Sequence, residues 1–277
     1  MDAAYDKFRL NTMLMLRVEA DYMGMHGTNA APLINGLIKN IKNNNRLDPK
    51  YQERLLKIFK NYLHKVLTTM VPDKSIDAAP NLEGKLGLLR DGINMIITDD
   101  PVAYSEHCDL LMPEEKMAAM IKDNASLFND YYENTRNNGL KTISMTLLKD
   151  AFNNAFENSY KEAYGRLKQM LSPILKGDSH LMVEKILCFE GTVVYIGSEK
   201  SDLRHIRNLL EHPSGIRRDG YYSLDFDNGE HLDLNEDRLL IISAYTGLFS
   251  INMMFMSSVL MMLRLYELSV ESGKYSS

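Results

Sequence analysis

Between Arg204 and Pro213 the chain reads Arg204-His205-Ile206-Arg207-Asn208-Leu209-Leu210-Glu211-His212-Pro213, its densest run of cations and imidazoles. A histidine exchanges a proton near neutral pH. An arginine holds two oxygens of an anion at once. On a helix at about 100° per residue, Leu203, Ile206, Leu209 and Leu210 share one apolar arc. Arg204, His205, Arg207, Asn208 and Glu211 fill the remaining face, and His212 falls beside His205. Asn208 lies one turn before His212, where its amide can hold the imidazole ring. Arg217 and Arg218 follow shortly and extend the basic patch. Arg207 and His212 point about 140° apart on an ideal helix, so one copy makes a poor site unless Pro213 unwinds the last turn. A plainer arrangement uses the same residues: Arg207 pairs with Glu211 at i,i+4, and His212 ends the helix.

Other chemistry finds little support. The two cysteines, Cys108 and Cys188, stand alone, which fits a reducing compartment and offers no metal-ligand spacing. The Glu-His pairs at Glu106-His107, Glu211-His212 and Glu230-His231 are scattered, so no metal is expected. There is no Walker loop, no nucleotide-binding glycine fingerprint and no Gly-x-Ser-x-Gly elbow, and no cofactor is expected. Asp99-Asp100-Pro101 reads as a turn and a cap. The net charge of -5 and pI of about 5.8 repel nucleic acid as a whole. Contact with RNA therefore has to come from a local patch such as the one above.

The elements that must position this patch are helices. Ala3 to Met25 carries apolar residues at helical spacing, and Pro32 opens a second helix that Asn43-Asn44-Asn45 breaks. Asp48-Pro49 caps a third. Leu82 to Ile97 and Pro113 to Arg136 are further helices. This pairing is that of a helical-repeat array or of an orthogonal bundle. Asn137-Asn138-Gly139 marks a boundary, giving a helical region 1–138 and a second region 139–277. The second opens with one amphipathic helix from Ile143 to Leu171, stopped by Ser172-Pro173, and continues with a shorter helix from His180 to about Phe189. Thr192 to Ile196 is a short strand or a helix start, and Ser201 caps the helix that Pro213 ends. Tyr221 to Phe226, Asp227-Asn228-Gly229 and Glu230 to Leu234 predict a β-hairpin with a type I′ turn. Asn235-Glu236-Asp237 then starts the last helix.

That last helix has no charged residue from Leu239 to Leu263, which is long enough to span a bilayer. Ser243, Thr246, Gly247, Ser250, Asn252, Ser257 and Ser258 interrupt it, and Asn252 near its middle is costly in lipid. A buried core helix or a dimer face is expected rather than a membrane anchor. Met1 to Arg17 carries Asp2, Asp6, Lys7 and Arg9, so no signal peptide is read there. A mainly all-α cytoplasmic protein is expected, and its 18 methionines suit irregular helical packing.

Arg207-Asn208 followed after three positions by His212 resembles the motif of the HEPN superfamily (higher eukaryotes and prokaryotes nucleotide-binding domain), in its form Arg-Asn-x-x-x-His. By chance an Arg-His pair at loose spacing occurs about once in such a composition; with Asn fixed the expectation falls to roughly 0.03. The resemblance covers about Thr142 to Ser272, half the chain. It implies a four-helix bundle, here with an inserted β-hairpin, and a metal-independent endoribonuclease. Arg207, His212 and Asn208 would carry the reaction, and Arg204, His205, Arg217 and Arg218 would bind RNA. It further implies a homodimer in which two motifs face one cleft, and a prokaryotic toxin or anti-phage role. The N-terminal half would then sense or bind a regulatory protein. Two other readings remain open: a non-catalytic module that binds a nucleotide or protein, and a C-terminally membrane-anchored helical protein.

Overall fold

The computed structural model describes residues 3–25, 27–70, 81–98, 119, 122, 145–175, 183, 185–187, 202–211, 216–218, 221–226, 229 and 231–273. The fold is mainly α-helical. The N-terminal half contains α1 (Ala3–Met25), α2 (Ala31–Lys42), α3 (Tyr51–Met70) and α4 (Leu82–Ile96). The C-terminal half begins with α5 (Met145–Ala155), a π-helical turn (Phe156–Tyr160) and α6 (Lys161–Leu175), which form one continuous rod. Then come α7 (Asp202–Glu211), the strands β1 (Ile216–Arg218), β2 (Tyr221–Asp225) and β3 (His231–Asn235), and a second rod. That rod is α8 (Glu236–Ala244), a π-helical turn (Tyr245–Phe249) and α9 (Ser250–Glu271). The predicted helix Pro113 to Arg136, the segment Thr192 to Ile196 and the boundary at Asn137-Asn138-Gly139 lie outside the described residues, apart from 119 and 122.

Local chemistry sets several helix starts. Asp48 accepts from the Lys50 amide at 2.9 Å, and the Tyr51 amide donates to the Asp48 carbonyl at 2.8 Å. The third helix therefore begins at Tyr51, slightly later than Asp48-Pro49 predicts. Asn235 Oδ1 accepts from the Arg238 amide at 3.0 Å and caps the last rod. Ser172-Pro173 does not stop the first rod, which continues to Leu175. A proline removes one donor and crowds the preceding turn, and in a last turn fewer bonds remain to lose.

The sheet is antiparallel in the order β1-β2-β3. Asp225 faces His231 and Tyr221 faces Asn235. This register leaves an odd number of residues between the strands, so a two-residue type I′ turn does not fit. Instead the Gly229 amide donates to the Phe226 carbonyl at 2.9 Å, with Gly229 at φ 84°. Gly229 thus takes the left-handed conformation that glycine adopts without strain. Strand β1 was not foreseen, and it carries Arg217 opposite Tyr222 and Arg218 opposite Tyr221.

The last rod, Arg238–Glu271, is long and apolar enough to cross a membrane, yet its most apolar stretch is wholly buried within the chain. It packs against α1, α3, α4, α5 and α6. Most of its described apolar side chains are buried inside one copy. Several of its polar side chains bond to their own helix, whereas Thr246 Oγ1, Ser250 Oγ and Asn252 Oδ1 are buried without a hydrogen-bond partner among the described residues. Ser243 Oγ donates to the Leu239 carbonyl at 2.7 Å, Asn252 Nδ2 to Leu248 at 2.7 Å and Ser258 Oγ to Met254 at 3.2 Å. Such back-bonds remove most of the desolvation cost of a buried hydroxyl or amide. Tyr266 ties the rod to the N-terminal half, its hydroxyl donating to the carbonyls of Asn45 at 2.8 Å and Asn40 at 3.1 Å.

Glu19 has no such relief. It is fully buried near Tyr22 and Tyr62, and neither carboxyl oxygen has a hydrogen-bond partner among the described residues. Burial pushes its pKa from the ordinary 4.5 up to about 8. The folded value lies above the unfolded one, so the folded state keeps a proton that the unfolded state releases in between. Stability is full below about pH 4.5 and declines as pH rises toward 8. Glu19→Gln is expected to remove this slope. Its stability advantage over the wild type should grow by on the order of 1 kcal/mol per pH unit between pH 5 and 8. Urea denaturation at several pH values checks this, and an advantage independent of pH contradicts it.

Candidate functional site

Four aromatic residues recur at every fourth position along the first rod: Phe152, Phe156, Tyr160 and Tyr164. In a regular α-helix each would sit about 40° beyond the one before it. A π turn holds more residues per turn and offsets that drift. The rings consequently form a column. Phe156 and Tyr160 stack at 5.0 Å with 20° between planes, and Tyr160 and Tyr164 at 6.1 Å with 26°. The column starts in the core at Phe152 and emerges at half-buried Tyr164. The two π turns pack on each other, which fixes the column against the last rod.

Helix α7 lies beside the emerging end. Its strongly amphipathic sequence buries Leu203, Ile206 and Leu210 and turns Arg204, Arg207 and Asn208 outward. A cleft of about 240 Å³ opens between the two elements, lined by Phe156, Tyr160, Lys161, Tyr164, Arg204, Arg207 and Asn208. The Arg204 guanidinium carbon stands 6.0 Å from the centre of the Tyr164 ring, and the Lys161 ammonium 5.8 Å from that of Phe156. Both distances suit attraction between a cation and a ring face.

Glu157 does not line the cleft itself but pairs with two residues that do. Its Oε1 is 3.1 Å from Arg207 Nη2, and its Oε2 accepts from Lys161 Nζ. The bond from Lys161, with the charges of Lys161 and Arg207, holds the Glu157 carboxyl below the usual range, so it is ionised. Arg207 Nε is buried with no hydrogen-bond partner among the described residues. The i,i+4 pair of Arg207 with Glu211 is not formed. Glu211 instead accepts from Asn153 Nδ2 and lies 3.4 Å from Lys149, both on α5.

Of the sequence-predicted site residues, Arg204, Arg207 and Asn208 come together in this cleft. His205 falls on α7 and Arg217 and Arg218 on β1, but their side chains, and His212 altogether, lie outside the described residues. Lys161, Glu157 and the aromatic column were not foreseen as site residues. The every-fourth-position aromatic spacing was a signal, one that a core stripe produces equally well. No group of three metal-ligating side chains is found among the described residues. His231 comes nearest, with Nδ1 2.6 Å from Asp225 and Nε2 3.0 Å from Asp233. Those nitrogens point to opposite ring edges, so the carboxylates do not converge on one ion. They instead raise the His231 pKa by hydrogen bonding, Asp225 first. Compared with known proteins, the chain matches no family model, no curated protein and no solved structure.

The Arg207 and Glu157 side chains are 35% and 37% exposed. Although Glu157 Oε1 and Arg207 Nε are themselves buried, ion pairs between side chains exposed to that degree contribute little. A double-mutant cycle on Arg207→Gln and Glu157→Gln, read by chemical denaturation, should give a coupling below about 1 kcal/mol. A coupling of several kcal/mol would mean that the pair is a structural lock instead of a displaceable contact.

Proposed function

We propose that the C-terminal half is a HEPN-type RNA-binding bundle that cleaves RNA without a metal. The observation that carries this reading is the convergence of Arg204, Arg207, Asn208 and Lys161 on one aromatic-walled cleft in a chain of negative net charge. Cations beside a ring system match a nucleotide, which is an anion joined to a flat base. The reaction moves few atoms. The RNA 2′-oxygen attacks the adjacent phosphorus, the bond to the 5′-oxygen breaks, and a 2′,3′-cyclic phosphate and a 5′-hydroxyl result. One proton leaves the 2′-hydroxyl and one reaches the 5′-oxygen.

In this reading His212 transfers a proton, Arg207 stabilises the charge on the crowded phosphorus, and Asn208 orients the imidazole. A homodimer joined through the C-terminal half brings a second His212, so one ring accepts a proton while the other donates. The N-terminal half binds a regulatory protein, and the setting is a cytoplasmic toxin or an anti-phage effector. A second reading rests on the Arg207–Glu157 pair: with Arg207 already neutralised, the cleft holds a nucleotide and does not cleave it.

Incubation with total RNA separates the two. Wild type should cut RNA in the presence of EDTA and leave cyclic phosphate ends. His212→Ala should lower the rate by about 10²–10⁴, Arg207→Ala by about 10²–10³, and Asn208→Ala by less. A folded His212→Ala protein that cuts as fast as wild type contradicts the assignment. Binding without any cutting favours the second reading.

A further inference from the structure

The cleft has two ends of different chemistry. At one, the Arg204 guanidinium and the Tyr164 ring face each other across 6.0 Å. A base stacked on both needs two intervals of about 3.4 Å, or roughly 7 Å in all. Exposed Arg204 has only to move outward by about 1 Å to admit one. At the other end stand Lys161 and Arg207, and behind the lining Glu157 presents one carboxylate oxygen to Arg207 and the other to Lys161. Two oxygens of a phosphate can take the same two cations. The carboxylate thus stands beside the place that an anionic ligand would take, and both side chains of the pair are about a third exposed.

We propose that the cleft admits one unpaired nucleotide, its base between Arg204 and Tyr164 and its phosphate on Lys161 and Arg207, beside Glu157. This deepens the RNA reading above by naming single-stranded nucleic acid as the substrate class. It also gives Glu157 a role as an internal counter-ion that the phosphate displaces. A base in a duplex has neighbours on both faces and cannot enter between Arg204 and Tyr164 without unpairing, which costs a few kcal/mol. Glu157 lowers affinity for every polyanion and so raises the relative weight of the stacking contact.

The test is fluorescence anisotropy with a labelled short RNA strand, the blunt duplex of the same sequence, and the same strand as DNA, all at fixed salt. The RNA strand should bind about ten-fold or more tightly than the duplex. Tyr164→Ala should weaken strand binding by about ten-fold or more, and Tyr164→Phe should retain it. Arg204→Gln, at an exposed position, should weaken it as well and guards against misfolding of the tyrosine variant. Glu157→Gln should tighten binding by about two- to five-fold. Glu83→Gln, the same change in charge away from the cleft, should not. The DNA arm identifies the source: equal binding assigns recognition to base and phosphate, and a preference for RNA adds the 2′-hydroxyl. The inference is overturned if strand and duplex bind alike, if folded Tyr164→Ala and Arg204→Gln bind as wild type, or if Glu157→Gln weakens binding. Strand-selective binding with no cleavage leaves it standing and removes the ribonuclease reading. Cleavage that depends on His212, without strand selectivity, does the reverse.

Discussion

The rest of the structure depends on burying a helix that has no charged side chain from Leu239 to Leu263. A helix apolar all round needs neighbours on every side. Here α1, α3 and α4 come from the N-terminal half, and α5 and α6 from the C-terminal half. Burial on that scale holds the two π turns together, which aligns the column from Phe152 to Tyr164. The column delivers Tyr164 and Lys161 to the rim where α7 presents Arg204 and Arg207. The cleft is thus a consequence of how the core is packed.

Charge is handled differently in core and cleft. Ser243, Ser258 and the Asn252 amide nitrogen bond to their own helix, while both Glu19 carboxyl oxygens stay without a hydrogen bond among the described residues and the group remains protonated through most of the neutral range. At the surface an acidic protein gathers Arg204, Arg207 and Lys161 in one place and sets the ionised Glu157 against Arg207 and Lys161. A displaceable internal anion of this kind lets a basic cleft exist without attracting every polyanion.

Periodicity made most of the helices legible. Ala3 to Met25 is α1, Asn235 is the predicted cap, and the apolar arc of Leu203, Ile206 and Leu210 is buried as the helical wheel requires. What escaped depends on tertiary contacts. Glu211 is the sequence neighbour of Arg207, but α5 holds Glu211 through Asn153 and Lys149, and Arg207 turns to Glu157 on the facing rod. The π turns shift hydrogen bonding by one residue and leave no mark in the apolar pattern. The three residues of β1 are too few to show alternation, and the strand register, which rules out a two-residue turn, is set by pairing that the dipeptide Asn228-Gly229 does not encode. Arg204, Arg207 and Asn208 were legible as a patch; that they meet an aromatic column was not.

Amide hydrogen exchange across 236–271, without detergent, tests most directly whether this helix organises the molecule. Global opening is needed to free its amides if both halves pack on it. Exchange should therefore be slowest there, and as slow at Tyr245–Phe249 and at Phe156–Tyr160, the two π turns. Fast exchange across 236–271, becoming slow only when lipid or detergent is added, would contradict the account.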